Sequence, residues 1–219
     1  MIPITWPFAV WGLDLVGPLQ RAVGGYTHLM VAIDEFSKWI KARPITNIRS
    51  KKVVLFFTDI IHWFGIPNVI ITDNGTQFTG KKLLDFCDRH HIRVSWSAVA
   101  HPQTNGQVEH ANDMILQGLK PRIYNRLKKF GKKWVKELSS VLWTLRTTPS
   151  RATKYTSFFM VYGCDAVLPT DLEYGSPRLK AYNKQTNKEA RENAVDQLVV
   201  ARDMALLYLA RYQQKLQRC

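Results

Sequence analysis

The order of its apolar stretches is the feature that most restricts how this chain can fold. Three strand-like segments come first, and helices then alternate with further strands. Ser50 can cap a helix that is expected to run to about Phe64, and a second helical pattern covers Thr79–His90. The strands are expected at Trp11–Val16, His28–Asp34, Trp39–Pro44, Val69–Thr72 and Arg93–Trp96. This order predicts an α/β fold in which helices flank a mixed five-stranded sheet.

The rest of the chain predicts helices of two kinds. Two helices are expected at about 105–127 and 132–146, with Gly118 and Pro121 as weak points in the first. From 182 to 217 the chain is rich in Gln, Glu, Lys, Arg and Ala, with apolar residues at coiled-coil-like spacing. We therefore divide the chain into a core domain, residues 1–176, and a helical linker or extension, residues 177–219. The alternative for the second segment is self-association through its helix, and we expect the chain to be a fragment of a longer protein.

Bulk properties exclude several classes of protein. A chain of 219 residues with 46% hydrophobic residues can bury a substantial core. No apolar run approaches the roughly 18 residues that a membrane span needs, so a membrane partner is not expected. The three cysteines are widely separated and odd in number, which argues against a disulfide framework or a structural zinc site. The phosphate-binding loop, the dinucleotide fingerprint and the nucleophile elbow are missing, so no small-molecule substrate is expected.

The charge of the chain predicts a polyanionic partner. The formal net charge is +14, and no acidic residue lies between Asp113 and Glu137. That interval holds eight basic residues, called the basic run below: Lys120, Arg122, Arg126, Lys128, Lys129, Lys132, Lys133 and Lys136. A solvated surface is the simpler interpretation of such a run, but next to the carboxylates described below we favour a surface that contacts phosphates.

Three carboxylates lie in contexts that suit metal-dependent chemistry on phosphodiesters. Asp14 lies in a strand-like run, Asp73 follows another, and Glu109 is near the start of a helix, with 109 − 73 − 1 = 35 residues between the last two. Taken singly, each has an ordinary explanation: a buried ion pair, a turn and a helix cap. Together they can supply the oxygen ligands with which two divalent cations clamp the attacking and leaving oxygens.

The same contexts resemble a known family. WGLDLVGPL around Asp14, ITDNGTQF around Asp73 and HPQTNGQVE around Glu109 resemble the catalytic core of retroviral and Gypsy-type retrotransposon integrases. The downstream stretches RTTPSRATKYTSFFMVYG and AVLPTDLEYG are similar to plant Gypsy-type elements. The resemblance implies a ribonuclease H-like fold and a DNA strand transferase. It also implies catalytic and metal-binding roles for Asp14, Asp73 and Glu109, with two Mg²⁺ (or Mn²⁺) ions per site.

The resemblance further implies partners and contact residues. The partners are the DNA ends of the retroelement's long terminal repeats, target DNA and further copies of the chain, and the place of action is the nucleus, after a cytoplasmic particle. The DNA-contact candidates are the motif-matched Gln103, Asn105 and Asn112, together with Lys120, Lys128, Lys129, Lys132 and Lys133 from the basic run. The chain departs from the family at His110, where arginine is common, and Asp113 adds a negative charge one turn further on.

Two other functions fit the same residues. One is a nuclease of the same fold that hydrolyses an RNA–DNA hybrid, and the other is an inactive or co-opted protein that only binds DNA. The 35-residue spacing and the HPQTNGQ loop favour the integrase over the nuclease, and the three carboxylates favour an enzyme over a remnant.

Overall fold

The computed structural model describes residues 6–96, 109–119, 133–175 and 187–217, and these residues form two compact units that divide between Leu145 and Arg146. The first unit contains the sheet. Its strands are β1 (Val10–Val16), β2 (His28–Asp34), β3 (Ile40–Ile45), β4 (Val69–Thr72) and β5 (Arg93–Trp96). Its helices are α1 (Ser50–Phe64), α2 (Lys81–Arg89), α3 (109–119) and all but the last two residues of α4 (Trp134–Thr147).

The sheet is mixed, and its strand order is β3-β2-β1-β4-β5. β1 pairs antiparallel with β2, which pairs antiparallel with β3, whereas β4 lies parallel to both β1 and β5. In the β1–β4 register Leu13 is opposite Thr72. The next residues along the two strands are Asp14 and Asp73, so the strand pairing brings both aspartates to one edge of the sheet.

Helices cover both faces of this sheet. On one face, α3 and α4 pack on β1 and β2 through a cluster that includes Val31, Ile115 and Val141. On the other face, the Phe64 ring of α1 lies 5.4 Å from the ring of Trp11. Alternation along β1 sends Trp11 to the α1 side and places Asp14 on the same face as Val16, which belongs to the cluster beneath α3.

The second unit is helical in its described part. It contains α5 (Ser157–Tyr162), α6 (Pro169–Tyr174) and α7 (Asn187–Gln217). Thr156 caps α5 by accepting a hydrogen bond from the Phe159 amide, and α7 donates from Arg202 Nη2 to the Met160 carbonyl at 2.9 Å. Ala201, Ala205 and Leu209 form the buried stripe of α7. None of the helices in the described ranges is long and apolar enough to cross a membrane.

The predicted fold class is confirmed, with differences at some boundaries. β3 ends at Ile45 instead of Pro44, and α2 is shorter than predicted at both ends. Ser50 is the first residue of α1, while Arg49 occupies the N-cap position without a side-chain hydrogen bond, so the predicted Ser50 cap is wrong. The predicted domain boundary at 176/177 falls in residues 176–186, outside the described residues, and stays a prediction.

Candidate active site

Asp14 is the most constrained of the three carboxylates. Its Oδ1 accepts a hydrogen bond of 2.7 Å from the Leu15 amide, and its Oδ2 accepts one of 2.6 Å from Asn112 Nδ2. Burial raises the pKa of the Asp14 carboxyl, and the negative charges of Asp73 and Glu109 raise it further. The two hydrogen bonds act in the opposite direction. The group is therefore a half-buried acid that is harder to ionise than an ordinary aspartate.

Asp73 lies directly after β4, in the turn that leads to α2. Its Oδ1 accepts a hydrogen bond of 3.0 Å from the Gly75 amide, so it does form the turn that its sequence context suggested. Its second oxygen makes no hydrogen bond within the described part of the chain. One carboxylate can therefore shape the turn with one oxygen and leave the other available at the edge of the sheet.

Glu109 is the first described residue of α3, and its side chain is exposed. The stripe of α3 that packs on the sheet is Ala111, Ile115 and Leu119, and all three are buried. This packing turns Glu109 toward the boundary between core and solvent. Its negative charge adds to the effects that raise the pKa of Asp14, after burial and the charge of Asp73.

Asn112 connects the helix of Glu109 to the strand of Asp14. It lies three residues after Glu109, one helical turn further on, and only 8% of its surface is exposed. Its amide nitrogen donates to Asp14, while its carbonyl oxygen, Oδ1, is buried and has no hydrogen-bond partner among the described residues. The motif match predicted a DNA contact for Asn112. That contact stays a prediction, and the structure adds a role in holding Asp14.

The remaining predicted contact residues divide into described and undescribed ones. Lys133 is exposed at the start of α4. The residues outside the described ranges are Gln103, Asn105, Lys120, Lys128, Lys129 and Lys132. The structure therefore brings Asp14, Asp73, Glu109 and Asn112 into one region and leaves the predicted DNA contacts as predictions.

The donor chemistry of this region suits a hard divalent cation. Carboxylate oxygens are the ligands that Mg²⁺ and Mn²⁺ prefer, and the unpaired Asn112 Oδ1 is a further oxygen nearby. Within the described ranges no three His, Cys, Asp or Glu side chains are gathered closely enough to hold a metal ion. The oxygen donors present suit the predicted metal ions, and the metal site itself stays a prediction.

Known proteins resemble the chain in sequence. Residues 5–102 match the family model described as the integrase core domain. The chain is 33% identical over 179 residues to the Gag-Pol polyprotein of avian reticuloendotheliosis virus, covering 80% of this chain and 15% of the polyprotein. It is 30% identical over 165 residues to the Pro-Pol polyprotein of feline foamy virus, covering 75% of this chain and 14% of that one. It thus spans about one seventh of the length of these relatives.

The fold is similar to a solved integrase. The structure of the integrase catalytic core domain of HTLV-2, in complex with magnesium and in a trimeric form, superimposes with a TM-score of 0.55 at 24% identity. The match covers 70% of this chain and 95% of the viral domain. Over residues 5–102 the chain matches the integrase core domain, and its mixed sheet with flanking helices has the ribonuclease H-like fold of retroviral integrase catalytic cores.

Proposed function

We propose that this chain is the catalytic core of a metal-dependent polynucleotidyl transferase that joins the 3′ ends of retroelement DNA to target DNA. The observation that carries the proposal is the position of Asp14. It is a half-buried carboxylate at the same edge of the sheet as Asp73, which follows β4. It accepts a hydrogen bond from Asn112, which lies on the helix that also carries Glu109. The downstream motifs around Arg146 and Tyr174 favour an element of the Gypsy type, similar to those of plants.

The reaction exchanges one phosphodiester for another. A 3′-hydroxyl oxygen attacks phosphorus in line, the bond to the former 3′ oxygen breaks, and the hydroxyl proton is lost, so no nucleotide fuel is needed. Bound Mg²⁺ or Mn²⁺, two ions per site, would supply charge stabilisation for the attacking and leaving oxygens. Asp14, Asp73 and Glu109 would hold the ions.

Two hydrogen-bond donors next to Asp14, one side chain and one backbone amide, prepare it for this role. The amide of Asn112 and the amide of Leu15 each occupy one oxygen of Asp14 and fix the plane of the carboxylate. Both bonds favour the ionised form, which is the form that binds a cation, and so they oppose the effect of burial. Such outer contacts tune a ligand without touching the metal.

The partners follow from the proposal. The donor is the end of a long terminal repeat, the acceptor is chromosomal duplex DNA in the nucleus, and the working form is a homo-oligomer. The trimeric form of the HTLV-2 core domain supports self-association of cores with this fold.

A joining assay tests the proposal. The 219-residue chain is incubated with Mg²⁺ or Mn²⁺ and a branched DNA that mimics the joined product, so that the forward and reverse transfers both change the length of a labelled strand. Wild type is expected to resolve the branch into two rejoined products, and Asp73→Asn to give none. The matched control is Asp85→Asn, which removes an exposed acid of α2 and is expected to keep activity.

The same assay separates the alternatives. Cleavage by water without any rejoined strand would identify a hydrolytic nuclease and overturn the transferase. Binding of DNA without any change in strand length, with both metals, would identify a protein that only binds DNA. Retained joining by Asp73→Asn would show that Asp73 is not a ligand.

A further inference from the structure

The first turns of α1 and α2 touch each other. A Cβ atom added to Gly80, the N-cap of α2, would collide with Ser50 Oγ at the start of α1, so the two helix starts lie side by side. Gly80 follows Asp73 by only seven residues. The helix α2 leads into β5, whose first residue, Arg93, pairs with Val69 at the start of β4. Because Asp73 follows the other end of β4, α2 runs from the edge that carries Asp73 to the opposite edge of the sheet. Both helix starts therefore lie on the edge that carries the carboxylates.

Five cations surround this contact, and together they form what we call the helix-start cluster: Arg49, Lys51, Lys52, Lys81 and Lys82. All five side chains are exposed. Neither helix has an acidic residue in its first turn. Within the described part of the chain, none of the five side chains forms an ion pair. The cluster is thus an uncompensated positive surface on an edge that otherwise carries acids.

The position of these charges works against the stability of the isolated protein. The start of a helix carries the positive end of its dipole, so anions are favourable there and cations belong at the other end. Here lysine pairs occupy the first turns of two adjacent helices, and five like charges also repel one another. A polyanion placed across both helix starts would relieve both effects.

We propose that the helix-start cluster binds consecutive phosphates of a DNA duplex and holds that duplex beside the carboxylate edge. This inference rests on the proposed function and extends it, because it assigns a second phosphate-binding surface apart from the basic run of the sequence. The residues contact phosphates and not base edges, since lysine at exposed helix starts acts as a point charge. The surface therefore contributes affinity and position without choosing a base sequence.

The test compares two charge-matched double variants of the 219-residue chain. Lys51→Gln/Lys81→Gln takes one lysine from each helix start. Arg89→Gln/Arg93→Gln takes two exposed cations from the far end of α2 and the start of β5, at the opposite edge of the sheet. Fluorescence anisotropy measures the Kd for a short DNA duplex over a series of salt concentrations.

The expected result is a change in salt dependence. The lysine variant should flatten the slope of log K against log salt by about two units, since each phosphate contact contributes about 0.9. The arginine control should change the slope by less than half as much as the lysine variant does. A melting temperature of the lysine variant at or above that of wild type, without DNA, would confirm that the two lysines do not stabilise the fold. If the variant fails to fold, Lys52→Gln/Lys82→Gln takes its place.

Two forms of the same duplex separate the sources of the phosphates. An open duplex has free ends, and a dumbbell closed by hairpin loops has none. An equal effect on both assigns the cluster to continuous duplex, and an effect on the open duplex alone assigns it to a DNA end. An unchanged slope with both forms, or an equal change in the arginine control, overturns the inference. Binding is measured without catalysis, so failure of the joining assay would reject the proposed function and leave this result standing.

Discussion

At the scale of single residues, Asp14 is predicted to lower the stability of the metal-free protein at neutral pH. Its pKa is raised in the folded state, first by burial and then by Asp73 and Glu109. The folded state therefore holds the proton more tightly, and the free energy of unfolding falls as the pH rises from the unfolded pKa, about 3.9, through the folded pKa.

Asp14→Asn should remove this loss. The variant is expected to melt at a higher temperature than wild type at pH 7, and the difference should vanish below the unfolded pKa, where Asp14 is protonated in both states. Thermal unfolding at a series of pH values, in the presence of a chelator, measures it. A variant that melts lower than wild type at pH 7 would mean that the hydrogen bonds of the ionised carboxylate outweigh its burial.

Asn112 is predicted to support catalysis through Asp14. Asn112→Ala removes the hydrogen bond that lowers the pKa of Asp14, so the acid limb of the pH–rate profile should move to higher pH. The rate of joining should fall by about 10- to 100-fold, as for other outer contacts of metal ligands. Gln117→Ala, which removes an exposed amide from the same helix, is the control. A loss of rate with an unmoved profile would assign Asn112 to DNA contact instead.

At the scale of elements, Gly118 sets how closely α3 and α4 approach. A Cβ at this position would lie 2.7 Å from Val141 Cγ1, and Val141 is buried and branched, so its side chain has little freedom to move. Gly118→Ala should therefore lower the free energy of unfolding. Overpacking costs about 1–3 kcal/mol, while the better helix propensity of alanine returns about 1 kcal/mol.

A double-mutant cycle checks the cause of that loss. Val141→Ala alone should destabilise the protein by leaving a cavity, whereas in Gly118→Ala/Val141→Ala the new methyl group fills part of that cavity. The pair should therefore cost less than the sum of the single changes, as measured by urea unfolding. Additive costs would show that the Gly118–Val141 contact does not limit the packing.

Much of the sheet was predictable from sequence because its elements have strong local patterns. β2, β4, β5 and α1 have the predicted bounds, since apolar runs bounded by Gly, Pro and Asp leave little choice of register. α5 and α6 were not predicted as helices. Each has six residues, which is too short for a helical periodicity to show, and Thr156 and Gly163 fix α5 through local capping.

The candidate site was predictable in its residues and less so in its contacts. Motif order singled out Asp14, Asp73 and Glu109, and strand pairing explains why the first two share an edge. The hydrogen bond between Asn112 and Asp14 joins residues 98 positions apart, so it depends on how α3 lies on the sheet. Spacing along the helix indicates that Asn112 is near Glu109, but it does not indicate which strand residue the helix presses against.

At the scale of the whole molecule, the positive net charge has to offset the repulsion between DNA and the three acids of the site. DNA must approach three acids, and a net charge of +14 supplies the attraction that brings a polyanion close to them. Two groups of cations can provide it: the helix-start cluster on the carboxylate edge, and the basic run that the sequence places between Asp113 and Glu137. Because each phosphate contact contributes independently to the salt dependence, the contributions of the two groups can be compared by measurement.

The basic run is predicted to contribute its own share of that dependence. Changing four lysines of the run to alanine (Lys128, Lys129, Lys132 and Lys133) should flatten the slope of log K against log salt by up to about 3.6 units, or four contacts at about 0.9 each. The loss of affinity should be nearly the same for DNA duplexes of different sequence, because phosphate contacts do not distinguish bases. Combined with Lys51→Gln/Lys81→Gln, the two reductions should add if the surfaces bind different phosphates. An unaltered slope in the quadruple variant would mean that these lysines are solvated surface, and that the helix-start cluster carries the contacts to DNA.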